Sequence, residues 1–140
     1  MARRFARLIV ASTPSDAWRR ARFLAGLSTL QLERYAESYD IFKQLADAEP
    51  SAAVLNNLGV IQLRRGGSAE AGVPVYFFNK AAEADPAEGD YFFNLGYAYW
   101  AERDANAAIY WLREAVRRNP ADGDAHYVLG VALTAAGAAP

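Results

Sequence analysis

The chain has 140 residues, of which 53% are hydrophobic and 22% charged, so it can bury a sizeable core and is not a disordered polypeptide. Fifteen basic and sixteen acidic side chains leave a net charge of −1, which argues against nucleic acid or an anionic membrane as the main partner. The absence of cysteine excludes disulfides, thiolate metal sites and cysteine nucleophiles.

Prolines and glycines recur along the chain with a common period. The prolines are spaced by 36, 36 and 34 residues at Pro14, Pro50, Pro86 and Pro120. The glycines are spaced by 33, 37 and 34 residues at Gly26, Gly59, Gly96 and Gly130. Each proline follows a helical pattern, which it ends because proline cannot continue a helix. Each glycine lies inside another helical pattern, where it predicts close approach of a neighbouring helix.

The periodicity predicts eight helices and no strand. The segment GGSAEAGVPV lies between the fourth and fifth predicted helices. Either the fifth helix starts near Pro74, which we favour, or a short turn from Ser68 kinks at Pro74. The predicted helices span residues 2–12, 16–31, 35–48, 52–65, 74–84, 88–101, 105–118 and 122–136.

One unit of the repeat is especially clear. Residues 89–122 resemble the tetratricopeptide repeat (TPR), a helix–turn–helix of 34 residues, through Leu95, Gly96, Tyr99, Ala108, Leu112, Ala115 and Pro120. Residues 19–50 match more loosely, and residues 52–86 match with a three-residue insertion. The resemblance implies an all-α, right-handed superhelix of antiparallel helix pairs.

Both ends of the chain fall within a repeat. FARLIVASTP echoes FKQLADAEP, so residues 1–14 are interpreted as the second helix of an earlier repeat. Residues 122–136 supply only the first helix of a later one. We therefore expect one TPR domain over residues 1–140, taken from a longer array or a larger protein.

The sequence contains no recognisable catalytic or metal-binding constellation. His126 is the only histidine, and its spacing from Leu129 and Leu133 predicts a structural place on a packing face. No glycine-rich phosphate loop and no paired carboxylates in an apolar pattern are present. We predict no enzymatic activity, no metal and no cofactor. Basic residues also cluster near the N-terminus. We interpret this cluster as a solvated surface, because no aromatic residues are interleaved with it. Its members are Arg3, Arg4, Arg7, Arg19, Arg20 and Arg22.

Helix 88–101 has two apolar sides, and only one can pack on its own repeat. In the TPR family the first helices of successive repeats line a concave groove, so the second side is predicted to bind a partner. Carrying this stripe to the other repeats gives the predicted groove residues, which are Phe23, Leu27, Asn57, Val60, Phe93, Asn94, Tyr97, Trp100 and Tyr127.

Two binding modes of the family can be compared with these residues. A carboxylate clamp needs lysine, asparagine and arginine, whereas only Asn57 fits and Asp90 would repel a carboxylate, so this mode is rejected. An asparagine ladder that holds an extended peptide backbone would use Asn57 and Asn94. Asparagine is also common at this position without a ligand, so a purely structural role and backbone clamping both stay open.

The leading functional hypothesis is a non-catalytic module that binds an apolar or extended segment of another protein in its groove. It involves no nucleic acid and no membrane insertion. The alternatives are self-association into a homo-oligomer and a regulatory segment of a larger enzyme or of a secretion or assembly protein. The sequence does not identify the partner or the compartment.

Overall fold

The computed structural model describes residues 6–10, 14–66 and 72–137. Within these ranges the chain forms helices and no strand. The helices are α1 (Ala17–Gln31), α2 (Tyr35–Ala48), α3 (Ala52–Arg65), α4 (Pro74–Ala84), α5 (Gly89–Ala101), α6 (Ala105–Arg118) and α7 (Gly123–Ala135). The predicted spans for all seven are confirmed to within one residue at each end, and the chain is an all-α helical repeat protein.

Short polar side chains start four of these helices. Asp16, Ser51, Asp104 and Asp122 each accept a hydrogen bond from the backbone N–H three residues further on. Such caps satisfy N–H groups that have no partner inside the helix. α4 begins at Pro74, as favoured from the sequence, because the first turn of a helix does not need the missing proline N–H.

The helices belong to two compact units. The N-terminal unit, Leu8–Ala84, contains α1 packed on α2, α2 on α3, and α3 on α4. The C-terminal unit, Met1–Arg7 with Asp85–Pro140, contains α5 packed on α6, and α7 packed on α6 with further contacts to α5. Both units therefore pair helices that are neighbours in the sequence, as the repeat pattern predicts. The assignment of residues 1–140 to a single domain stays a prediction.

Three of the periodic glycines lie where two helices of one repeat meet. A Cβ atom built on Gly26 would lie 2.7 Å from the Phe42 ring, and one on Gly96 would lie 2.7 Å from Leu112 Cγ. Gly59 is covered in the same way by the ring of Phe78. The predicted close helix approach is confirmed at these positions.

The structure contradicts the predicted helix over residues 2–12 where it describes this segment. The interpretation of residues 1–14 as the second helix of an earlier repeat is wrong there for the same reason. Residues 6–10 form no helix. The backbone groups of Arg7 and Ile9, which a helix would use internally, bond instead to side chains far along the chain. Residues 1–5 and 11–13 lie outside the described residues.

Candidate functional site

The N-terminal unit holds one residue of segment 6–10 through an asparagine side chain. The Ile9 N–H donates to Asn57 Oδ1 at 3.0 Å, and Asn57 Nδ2 donates to the Ile9 carbonyl at 3.1 Å. Asn57 is fully buried, and Asn56 Nδ2 donates to the same Oδ1 at 3.4 Å. A side-chain amide thus exchanges two hydrogen bonds with one backbone residue, as a neighbouring strand would.

The C-terminal unit repeats this arrangement two residues earlier in the segment. The Arg7 N–H donates to Asn94 Oδ1 at 2.7 Å, and Asn94 Nδ2 donates to the Arg7 carbonyl at 2.9 Å. Asn94 is also fully buried. We call the two arrangements the Asn57 clamp and the Asn94 clamp.

The Arg7 side chain enters an acidic pocket in the C-terminal unit. Its guanidinium donates two hydrogen bonds to the Asp122 carboxylate, at 2.7 and 2.8 Å, and one to Asp90 at 2.5 Å. Asp124 lies 3.7 Å from Nη2, and the centre of the Phe93 ring lies 3.8 Å from the guanidinium carbon. Arg7, Asp90, Asp122, Asp124 and Phe93 are called the arginine pocket below.

Two helix starts place the carboxylates of this pocket. Asp90 is in the first turn of α5, and Asp122 is the N-cap of α7, where one carboxylate oxygen also accepts from the Ala125 N–H at 3.2 Å. Asp122 is 9% exposed and the Arg7 side chain 24% exposed. The ion pair is therefore partly shielded from water, which strengthens it relative to a surface pair.

The electrostatics of the pocket favour the charged forms of both partners. Hydrogen bonding by Arg7 lowers the pKa of Asp122, although burial opposes this shift. Burial acts to lower the pKa of Arg7, but the hydrogen bonds to Asp122 and Asp90 outweigh it and raise that pKa. The ion pair is therefore fully formed at neutral pH.

The aromatic residues predicted for the groove fall into two groups. Phe93 is 1% exposed and lies beneath the Arg7 guanidinium, and the Tyr97 ring stacks on it with centroids 6.1 Å apart. Burial raises the pKa of the Tyr97 hydroxyl. Trp100 and Tyr127 instead line an open pocket of about 680 Å³ in the C-terminal unit.

Besides Phe93 and the two asparagines, two further predicted groove residues are fully buried. Phe23 is fully buried because its ring packs edge-on against Phe42, with centroids 5.5 Å apart. Val60 is fully buried as well, and Leu27 is half-buried. Phe23 therefore turns towards the second helix of its repeat.

Two further expectations from the sequence are corrected. Arg7 is not a solvated member of a basic cluster, because three carboxylates surround it; Arg3 and Arg4 lie outside the described residues. His126 is exposed rather than on a packing face, and its Nε2 lies 2.8 Å from the Pro120 carbonyl oxygen.

The described residues form neither a metal-binding cluster nor a helix that could span a membrane. Among residues 6–10, 14–66 and 72–137, no cluster of histidine, cysteine and acidic side chains could hold a metal ion. In the same ranges, every helix is too short or too polar to cross a bilayer.

Solved structures share this fold at low sequence identity. MamA superposes with a TM-score of 0.71 at 23% identity, over 80% of this chain, and the match spans only 64% of MamA. The first TPR of Spaghetti (RPAP3), solved with the HSP90 peptide SRMEEVD, gives 0.76 at 18% identity, covering 84% of this chain and 92% of that one. The Yersinia enterocolitica type III secretion chaperone SycD, in complex with a peptide of the translocator YopD, gives 0.71 at 13%, covering 86% and 91%.

The sequence itself matches one family along most of its length. Comparison with curated protein sequences finds no significant match. The profile of the tetratricopeptide repeat matches residues 23–76, 77–122 and 112–140, which include all seven described helices except the start of α1. The chain therefore belongs to the tetratricopeptide repeat family, whose members are protein-interaction modules, and it carries about three repeats.

Proposed function

We propose that this chain is a non-catalytic interaction module that binds an extended segment of another protein by its backbone. The observation that carries the proposal is the pair of clamps, in which Asn57 and Asn94 each bond both the N–H and the C=O of one residue. Every residue except proline offers these two groups. The clamps therefore favour extended backbone in general and are compatible with many sequences.

The burial of the two asparagines supports this role. Both amides are fully buried, and a buried amide without partners is costly. Here the amides find partners in a segment that belongs to no helix. An arrangement of this kind can exchange one extended segment for another without changing the helices that carry it.

Fold neighbours support the same class of function. The RPAP3 and SycD structures were each solved with a peptide, and PcrH, at a TM-score of 0.69 and 16% identity, was solved with the chaperone-binding region of PopD. We carry over only the kind of ligand, a segment of another protein. The sequence preference for the ligand is inferred from this chain's own residues instead.

We further propose that Trp100 and Tyr127 bind apolar side chains of the partner. Tyr127 is 52% exposed and Trp100 is half-buried, and together with Val131 and Ala135 they line the open pocket of the C-terminal unit. Aromatic side chains that remain open in a concave surface are frequent centres of binding energy.

In this chain the clamps are already occupied by residues 7 and 9, so an incoming segment must displace a tethered one. A tethered competitor acts at an effective concentration in the millimolar range, which masks binding of a free peptide. The test therefore uses a released chain, Arg7→Pro/Ile9→Pro, which lacks both clamped N–H donors and the guanidinium but leaves every helix unchanged.

The test is calorimetric titration of the released chain with the peptide FARLIVAS, which is residues 5–12. We expect binding, and we expect N-methylation of the peptide's Ile9 nitrogen to weaken it about tenfold or more, because the donor to Asn57 is lost. The matched control is N-methylation at Leu8, whose N–H has neither clamp asparagine as a partner in the described structure, and it should change the affinity less than threefold.

Equal weakening by the two methylated peptides, or no binding of any peptide to the released chain, would overturn the backbone clamp. Circular dichroism must show the wild-type helix content for the released chain. If the helix content is lower, FARLIVAS and its two methylated forms are titrated into the wild-type chain at higher concentration. The order of their three affinities is then the result. Dimerisation of the released chain in light scattering without peptide binding would instead establish the self-association alternative.

A further inference from the structure

The structure assigns an arginine-specific subsite to the C-terminal unit, formed by Asp90, Asp122 and Phe93, and we infer that it selects partner segments with arginine at the residue held by the Asn94 clamp. The inference rests on the proposed function and names the ligand class for it. The ligand is an extended peptide in which one arginine is recognised by both its backbone and its side chain.

The guanidinium of Arg7 is contacted both on its edge and on its face. Asp122 accepts two hydrogen bonds from Arg7, from Nη1 and Nη2, in the forked geometry that only arginine can supply. Asp90 accepts a further bond from Nη1. The face of the Phe93 ring lies against the guanidinium plane at 3.8 Å, so the cation is contacted on its edge by carboxylates and on its face by an aromatic ring.

The arginine pocket carries a high density of negative charge. Asp90, Asp122 and Asp124 bring three negative charges within 4 Å of one guanidinium. Two of these carboxylates lie in the first turn of α7 or at its cap, where the helix dipole favours negative charge. The pocket therefore remains strongly attractive to a cation from another chain when Arg7 leaves it.

The arginine pocket and the Asn94 clamp together set the register of the bound segment. Asn94 holds the backbone of the same residue whose side chain fills the pocket. The two contacts together fix which residue of a partner occupies this position, whereas a backbone clamp alone would let the segment slide by two residues. Specificity in an otherwise sequence-tolerant site thus comes from one side chain.

Lysine cannot replace arginine here at equal affinity. An ammonium group is a compact point charge that cannot donate two parallel hydrogen bonds to Asp122 while also lying flat on Phe93. Citrulline keeps the shape of arginine but has no charge, so it leaves the carboxylates without a cation. These two replacements separate the geometric contribution from the electrostatic one.

The experiment titrates the released chain, Arg7→Pro/Ile9→Pro, with FARLIVAS and with two peptides that carry lysine or citrulline in place of Arg7. We expect the lysine peptide to bind about tenfold more weakly, and the citrulline peptide more weakly still, since hydrogen bonds between charged groups are the strong ones. Raising the salt concentration should reduce this preference for the arginine peptide over the citrulline peptide.

Variants of the pocket supply the second half of the test. Asp90→Asn and Asp122→Asn in the released chain should each reduce the preference for arginine over citrulline by about tenfold. The matched control is Asp104→Asn, because Asp104 caps α6 as Asp122 caps α7 but does not contact Arg7, and asparagine is an equally good cap. Asp104→Asn should leave the preference unchanged.

Failure of this inference differs from failure of the proposed function. If the arginine and citrulline peptides bind equally while methylation of Ile9 still weakens binding, the arginine subsite is overturned and the backbone clamp stands. If Asp104→Asn lowers the preference as much as Asp122→Asn, the pocket acts only through helix stability and the subsite is again overturned. If no peptide binds, both proposals are overturned.

Discussion

The glycine in the first helix of a repeat is covered by a large side chain of the following helix at three positions and is uncovered at the fourth. Gly26, Gly59 and Gly96 are each covered by a large side chain of the following helix, whereas a Cβ atom on Gly130 would have no atom within 4 Å. Glycine in a helix interior is less stable than alanine by about 0.5–1 kcal/mol. The three covered glycines offset this cost by close packing, and Gly130 does not.

A matched pair of substitutions tests this difference. Gly130→Ala should raise the free energy of unfolding by about 0.5–1 kcal/mol, because it gains helix propensity and meets nothing. Gly96→Ala should lower it by about 1–3 kcal/mol, because the new methyl group overlaps Leu112, and Gly96→Leu should lower it further. Urea denaturation measures both. Equal effects at the two positions would show that the glycines are not packing sites.

The carboxylate of Asp122 gives the arginine pocket a defined pH dependence. Its pKa is lowered in the folded chain by the hydrogen bonds from Arg7, despite burial. The stability that it contributes is therefore present above the unfolded pKa of about 3.9 and is lost as the pH falls through the lowered folded value. We expect Arg7 to stay bound at pH 7 and to be released only in acid, below about pH 4.

The variant Arg7→Ala checks this assignment at the carboxylate itself. The pKa of Asp122, followed by NMR titration of its carboxyl carbon, should rise because the guanidinium bonds are lost. It should remain somewhat below that of an unpaired aspartate, since the Ala125 N–H still donates to it. A titration curve identical to that of the wild-type chain would contradict the pairing seen here.

Helix α5 has one side in the core and another side that lines an open pocket. Leu95 is fully buried, whereas Trp100, on the other side of the helix, lines the open pocket with Tyr127. The sequence predicted these two sides from spacing alone. It could not predict that Phe93 would be covered by Arg7, because the two residues are 86 positions apart and no local pattern connects them.

Substitutions on the two sides of α5 should separate stability from binding. Leu95→Ala should lower the free energy of unfolding by about 2–5 kcal/mol, because it leaves a cavity in the core. Trp100→Ala should change it by less than about 1 kcal/mol and should weaken binding of a partner segment long enough to reach the open pocket about thirtyfold. Thermal denaturation and calorimetry measure the two effects. Unfolding by Trp100→Ala would place this residue in the core instead.

The N-terminal segment marks the limit of what local pattern can predict. FARLIVASTP resembles the second helix of a repeat in its apolar spacing, and that spacing favoured a helix. The partners of residues 7 and 9 include Asn57, Asn94, Asp90 and Asp122, at sequence separations of 48 to 115 residues. Tertiary hydrogen bonds and an ion pair outweigh the weak local preference.

At the scale of the whole molecule, repetition made the helices predictable. Helix boundaries have local causes, such as Ser51 or Asp104 at a helix start and Pro74 in a first turn. Because the same boundaries recur with the period of the repeat, each repeat supports the boundaries predicted in the others. Asn57 and Asn94 were singled out because they occupy the same repeat position. Asp122 and Arg7 were not predicted as partners, since their contact has no counterpart among the described residues of the other repeats.

The central claim is that Asn57 and Asn94 hold the backbone of an extended segment, and backbone amide hydrogen exchange of the wild-type chain at pH 7 tests it most directly. The account predicts slow exchange at Arg7 and Ile9 and fast exchange at Leu8, because only the first two amides donate to the asparagines. Asn94→Ala should abolish the protection of Arg7 while leaving amides in α1 and α2 unchanged. Fast exchange at all three residues in the wild-type chain, or equal protection of Arg7 in Asn94→Ala, would contradict it.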